Sequence, residues 1–245
     1  MTKSKDLTVL IISLLVTVGS IGLIAAWIFP RFQAEQISPV VVDSPSPNVG
    51  EPPPDLSSLP DRISIGNRQL IAEVTTPAKR EGIAAFEARD YGKAVEWFDL
   101  SLKALPNDPE TLIYLNNARL RSQEDKTLAI AVSVPIGTNL NVAQEILRGV
   151  AQAQSEVNRQ ADPRLRGLEV EIINDDNQPA ITRELAKLLV ADRKLLAVVG
   201  HNTSDASMAA APTYQQNGLV MISPTTFDAD VAKVGNINSL NTRYT

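Results

Sequence analysis

"LLAVVGHNTSDASMAAAPTYQQNGLVMIS", Leu195 to Ser223, decides the architecture of this 245-residue chain. An apolar run ends at Gly200, polar side chains follow, a helix-like stretch opens near Ser204, and a second apolar run begins at Leu219. Short apolar runs bounded by turn residues read as buried strands. Strand, helix and strand at this pace form the unit of a parallel sheet covered on both faces.

The same rhythm extends upstream. "TLAIAVSV" (127–134) is a buried-strand run, and "NVAQEILRGVAQAQSEVN" (141–158) places Val142, Ile146, Val150 and Val157 on one helical face. "LEVEII" (168–173) alternates. "PAITRELAKLLVAD" (179–192) begins with proline at a first helical turn and offers Ile181, Leu185, Leu188 and Leu189 to a core. "LLAVVG" (195–200) is the third strand, "SDASMAAAPTYQQN" the third helix and "LVMIS" (219–223) the fourth strand. The fold class is therefore α/β, with a partial doubly wound parallel sheet over residues 127–245.

In such a sheet ligands sit beyond the carboxyl ends of the strands. Those ends carry "PIGTNLN" (135–141), "NDDNQP" (174–179), "GHNTSDAS" (200–207) and "SPTTFD" (223–228). Asp176 or Asn177 reads as the N-cap of the helix that opens at Pro179, in preference to any ligand-binding or metal role. Thr203 or Ser204 caps the next helix. Capping is compatible with binding, because the first-turn N–H groups of a helix and a serine hydroxyl together seat a carboxylate. His201, the only histidine, reads as a strand-end residue hydrogen-bonded to backbone. No Gly-x-Ser-x-Gly elbow surrounds Ser204, so no catalytic residue is assigned.

Composition excludes several classes of function. At 44% hydrophobic and 21% charged the chain is ordinary globular protein, and a net charge of −5 leaves no basic footprint for nucleic acid. The absence of cysteine removes disulfides, thiol catalysis, Cys-ligated zinc and a lipoprotein anchor. With a single histidine, transition-metal sites lack ligands, and neither metal nor cofactor is expected.

The amino-terminal half has a different organisation. Lys3 and Lys5, in a short cytoplasmic tip (1–6), precede 23 uncharged residues, Leu7 to Phe29. A helix of that length covers roughly 34 Å, enough for a bilayer core. It is longer than a signal-peptide core and lacks a small-residue cleavage site after it, so it reads as an uncleaved anchor. Trp27 and Phe29 suit the interface. The remainder of the chain would then face the periplasm or cell exterior, on a single-pass inner-membrane protein. Residues 30–61 form a linker, with seven prolines between Ser38 and Pro60. Such a stretch cannot bury a core and favours extended conformations, reaching about 3.1 Å per residue. Residues 62–76 form a short β segment, with a Gly66-Asn67 turn signal for a small hairpin.

Residues 77–122 read as two amphipathic helices joined near Arg89-Asp90, followed by a third through Arg121. Gly82, Tyr91, Ala94, Phe98 and Pro106 fall at the spacings of the tetratricopeptide repeat, which this stretch resembles over one repeat. Ala78 departs from that pattern, which usually has a large aromatic there. One repeat is too short for a solenoid groove, so the module is expected to act as a spacer or docking element.

Residues from about 127 to 227 resemble the first lobe of type I periplasmic solute-binding proteins, the branched-chain amino-acid receptors of ABC importers. The resemblance rests on "ILRGVAQAQSEVN", "INDDNQPAITRELAKLLVADRKLLAVVGH" and "NTSDASMAAAPTYQQNGLVMISPTT". It implies that Ser204 holds a ligand carboxylate and that Thr225 contributes backbone bonds, with Thr203 and Thr226 beside them. Phe227 stands where that family normally has a second hydroxyl. The implied function is non-catalytic capture of an amino acid or amide for an ABC permease. After Phe227 the text "DADVAKVGNINSLNTRYT" loses the family pattern, and the chain reads as a fragment within the first lobe. Two other functions fit the same features. One is an interaction protein resembling the periplasmic activators of cell-wall synthases; the other is a ligand sensor.

Overall fold

Alternation along Thr127–Val134 sends Ala131 to one side of a sheet and Val132 and Val134 to the other, and all three are fully buried. Both faces of this strand are therefore covered. The computed structural model describes residues 56–123, 127–159 and 167–225. The predicted membrane segment (7–29), most of the linker, and residues 226–245, with Thr226 and Phe227, lie outside the described residues. No helix among the described residues is long and apolar enough to cross a membrane.

A 3-10 helix (Leu56–Arg62) leads into β1 (Ile63–Ser64) and three helices, α1 (Pro77–Glu87), α2 (Tyr91–Ala104) and α3 (Pro109–Ser122). Alternating elements follow: β2 (Thr127–Val134), α4 (Leu140–Arg159), β3 (Gly167–Asn174), α5 (Pro179–Ala191), β4 (Leu195–Val199), α6 (Ser204–Asn217) and β5 (Val220–Ile222). The strand order is β1-β3-β2-β4-β5. Strands β2 to β5 are parallel, with Ala131 opposite Glu171 and Val198.

The strands of residues 127–222 are parallel as expected, and the segment at 62–76, expected to stand apart as a short β segment, adds an antiparallel edge strand that makes the sheet mixed. β1 runs antiparallel to β3, with Ile63 opposite Ile173 and Ser64 opposite Ile172. The hairpin expected at Gly66-Asn67 does not form. Instead the Ser64 hydroxyl accepts from the Gly66 and Arg68 amides and donates to the Arg68 carbonyl. A short strand pairs with whatever edge is open, and β3 offered one. The linker also ends earlier than expected. Its last residues belong to the 3-10 helix, and Leu59 is buried with Ile181, Leu185 and Leu189 of α5.

Each of the three helices α1 to α3 opens at a side-chain cap. Thr76, Asp90 and Asp108 each accept a backbone N–H from the first turn of α1, α2 and α3 respectively. Gly82 lets α1 approach α2; a Cβ there would stand 2.6 Å from Phe98 Cδ1. Lys79 is fully buried, 2.8 Å from Asp108 and 2.6 Å from Glu110. Burial pushes the Glu110 carboxyl up, against the Lys79 ammonium and the Leu70 amide, which hold it down.

These helices are not separate from the sheet. Phe86, Phe98, Ile113 and Tyr114 share one core with Val132, Leu147, Val170 and Ile172. α3 meets β3 through Asn117, whose side-chain amide donates to the Val170 carbonyl at 2.7 Å and accepts from the Val170 N–H at 3.1 Å. One side chain thus does for Val170 what a neighbouring strand would do. Gln154 of α4 completes the set by donating to Asn117 at 2.7 Å and to the Leu168 carbonyl. Arg121 of α3 lies over the rings of Phe86 and Tyr91 and pairs with Glu169 of β3.

This packing moves the buried face of α4. Ala143, Leu147, Ala151 and Gln154 are buried, while Ile146 and Val150 flank them and Val142 and Val157 are half-buried. The expected stripe turns because α4 must face α3 as well as the sheet, and small residues sit where two helices approach. In α5, Ile181, Leu185 and Leu189 are buried as expected, but Leu188 remains 43% exposed. It falls on the solvent side of a helix that packs against α6 and the sheet.

Candidate functional site

The carboxyl ends of β2, β3, β4 and β5 converge on a buried polar centre. β3 ends in Asn174, and the next residue, Asp175, is fully buried. Its Oδ2 lies 2.6 Å from His201 Nδ1 and accepts from the Ser133 hydroxyl of β2 at 2.9 Å. Its Oδ1 accepts from the Asn177 N–H at 2.9 Å. His201 Nε2 lies 3.1 Å from the Tyr214 hydroxyl of α6, and the two rings stack with centres 5.9 Å apart. Burial works to raise the Asp175 carboxyl, but His201, the Asn177 amide and the Ser133 hydroxyl outweigh it and hold the carboxyl below its ordinary range. Burial, followed by the Asp175 charge, pushes the Tyr214 hydroxyl well up.

The sequence places His201 correctly at the strand end, but its ring bonds side chains, not backbone. Both ring nitrogens are engaged and the residue is fully buried. It offers no nitrogen to activate Ser204. Its carbonyl ties the neighbouring elements together, accepting from the Ser207 hydroxyl at 3.4 Å and the Ser223 hydroxyl at 2.9 Å. The turn before it requires glycine. Gly200 has φ 138°, and a Cβ there would stand 2.8 Å from the Ser133 carbonyl oxygen.

Around this centre lie the half-buried and exposed residues of the loops. Thr203 caps α6 through the Ala206 amide, and Ser204 is the first residue of that helix. Thr225, beyond β5, donates its hydroxyl to the Asn202 carbonyl at 2.7 Å. The structure therefore brings Thr203, Ser204 and Thr225 to one end of the sheet, and Thr226 lies outside the described residues.

On the β2–β3 side the predicted caps are corrected. Gln178 occupies the N-cap of α5, without a side-chain cap bond. Asp176 and Asn177 instead adopt positive φ values of 51° and 55°. Asp176 Oδ1 accepts from the Gly137 N–H at 2.7 Å, its carbonyl accepts from the Thr138 hydroxyl at 3.0 Å, and its Oδ2 pairs with Arg62 at 2.7 Å. Asn174 joins the same loops by accepting from the Ile136 amide at 3.0 Å. Of these residues, Ser133, Asp175, Tyr214 and Arg62 were not anticipated. "NDDN" marked the loop, but nothing local says which aspartate turns inward. Among the described residues no group of His, Asp and Glu could hold a metal ion.

No family model matches the chain. An amino acid binding protein of Pseudomonas aeruginosa is 28% identical over 111 residues, which cover 44% of this chain and 29% of that protein. The chain thus spans less than a third of the length of that curated relative. Among solved structures, an ABC transporter substrate-binding protein of Desulfitobacterium hafniense in complex with Leu is 28% identical, with a TM-score of 0.40 over 44% of this chain and 31% of that one. The branched-chain amino acid transporter substrate binding protein LivJ of Streptococcus pneumoniae, in complex with isoleucine, is 26% identical, with a TM-score of 0.41 over the same shares.

Proposed function

We propose that the described lobe is the carboxylate-holding half of an amino-acid-binding cleft, and that the protein captures a solute without transforming it. The observation that carries this reading is the position of Ser204, at the first turn of α6 and beside Thr203 and Thr225, on a lobe similar in sequence to an amino acid binding protein. Helical N–H groups and hydroxyls at one end of a sheet suit a carboxylate. Leucine and isoleucine, bound by the similar proteins of known structure, are the first ligands to test. In the same reading residues 7–29 tether the chain to the inner membrane with the lobe facing outward, residues 77–122 form a single tetratricopeptide-like unit, and an ABC permease receives the ligand.

Calorimetric titration of the full chain with leucine and isoleucine tests the proposal. Binding is expected, and Ser204→Ala should weaken it by about 1–2 kcal/mol, the worth of a hydrogen bond to a charged group. No heat with either amino acid would overturn the ligand assignment. Unchanged affinity in the variant would overturn the role of Ser204. A second reading draws on the core shared by α1–α3 and the sheet, which fixes the helices as one surface with the lobe. That surface suits the scaffold function considered from sequence.

A further inference from the structure

Arg62 lies just beyond the Pro-rich stretch and ahead of the lobe that resembles amino-acid receptors, yet its side chain reaches the ligand-side loops. Nη1 is 2.7 Å from Asp176 Oδ2 and donates to the Asn174 carbonyl at 3.3 Å. The two side chains are only 22% and 11% exposed, so this pair is better shielded from water than the surface pairs of the molecule. The other carboxylate oxygen of Asp176 accepts the Gly137 N–H, and the approach is close: a Cβ on Gly137 would stand 2.8 Å from Asp176 Oδ1. Asp176 holds this position at a φ of 51°, which costs a non-glycine residue energy that its partners must offset.

Arg62 is itself held in place from two sides. It ends the 3-10 helix whose Leu59 enters the core under α5, and it precedes β1, which pairs with the end of β3. The segment that enters the folded domain thus runs through Arg62 to Asp176 and on to the loop 137–139, at the end of the sheet where Ser204 and Thr225 stand.

We infer that Arg62 is a positioning residue for the ligand-side loops: through Asp176 it fixes the Gly137–Asn139 turn, making the cleft sensitive to the segment that precedes the lobe. The ligand part of this inference rests on the function proposed above; the loop part does not.

The experiment uses the full chain with Arg62→Met, which keeps the aliphatic stem, and Arg62→Lys, which keeps the charge. Amide exchange at Gly137 is read first, with the Gly200 amide, bonded to the Ile222 carbonyl, as internal reference. Arg62→Met should speed exchange at Gly137 by roughly tenfold, the scale of a charge-assisted hydrogen bond, and leave Gly200 unchanged. Arg62→Lys should restore most of the protection. In an Asp176→Asn background, Arg62→Met should have little further effect. Unchanged Gly137 exchange in Arg62→Met overturns the inference, as does an equal rise at Gly200, which would signal general destabilisation. Leucine and isoleucine titrations then read the ligand part. Arg62→Met should weaken binding by about threefold or more, and Arg62→Lys should recover it. Faster Gly137 exchange with unaltered affinity would reduce Arg62 to a structural role and overturn positioning. If the unaltered chain binds neither amino acid, the proposed function fails, and Gly137 exchange alone decides whether Arg62 fixes the loop.

Discussion

Asp175 and Glu171 lie four residues apart along β3 and its following loop, and their surroundings drive their carboxyls in opposite directions. Asp175 is held below its ordinary range despite burial, because His201, Asn177 and Ser133 all favour its charge. Its unfolded carboxyl titrates near about 3.9, so its contribution to stability is full above that value and is lost as pH falls through the lower folded one. Asp175→Asn should therefore flatten the acid side of the stability profile. At pH 7 it should cost about 3 kcal/mol, as expected when one partner of a buried pair is removed, and urea unfolding at pH 7 and pH 3 reads both effects. Glu171 is raised to about 7 by burial first, then by the charges of Asp192 and Glu169. A raised carboxyl has the opposite sign: folding favours its protonated form, and stability falls as pH rises from the ordinary value toward the folded one. Glu171→Gln should remove that fall, giving a higher melting temperature than the unaltered chain at pH 8 and little difference at pH 4.

At the scale of elements, α3 makes two structures into one. Its Asn117 satisfies the Val170 backbone where β1 is too short to reach, since β1 pairs only with Ile172 and Ile173. Asn117→Ala would leave a buried N–H and carbonyl without their protein partner. It should destabilise the protein by about 2–3 kcal/mol, measured by denaturant unfolding, and deprotect the Val170 amide selectively in hydrogen exchange. Gly82→Ala tests the other contact of the helical layer. The Phe98 ring must move to admit the methyl group, and the expected cost is about 1–3 kcal/mol from overpacking. Strand and helix limits were legible from the sequence because apolar runs and turn residues are local signals. "TLAIAVSV" is β2 to the residue, and Ser204–Asn217 is α6. The buried face of α4 was not legible, because it answers to α3, an element that periodicity within α4 cannot see.

For the whole molecule, the shared core predicts that helices and sheet unfold together. Urea unfolding followed by Trp97 fluorescence in a Trp27→Phe chain, and by amide protection of Val132, should give a single midpoint; separated midpoints would mean two independently folding units. The sequence by itself determined the α/β class, the order of strands and helices, a cap at Thr203 or Ser204, and the gathering of hydroxyls and amides at the strand ends. These follow from local propensity and from the rule that parallel strands place their carboxyl ends on one side. Tertiary structure alone decided that β1 pairs antiparallel with β3, that Asn117 covers the Val170 edge, that Asp175 turns in toward His201 while Asp176 turns out toward Arg62, and that Leu59 belongs to a core. Each of these joins residues distant along the chain: 26 positions separate Asp175 from His201 and 114 separate Arg62 from Asp176. Such pairings are selected by which buried polar groups and open edges find partners once the layers pack, and that competition has no local signature.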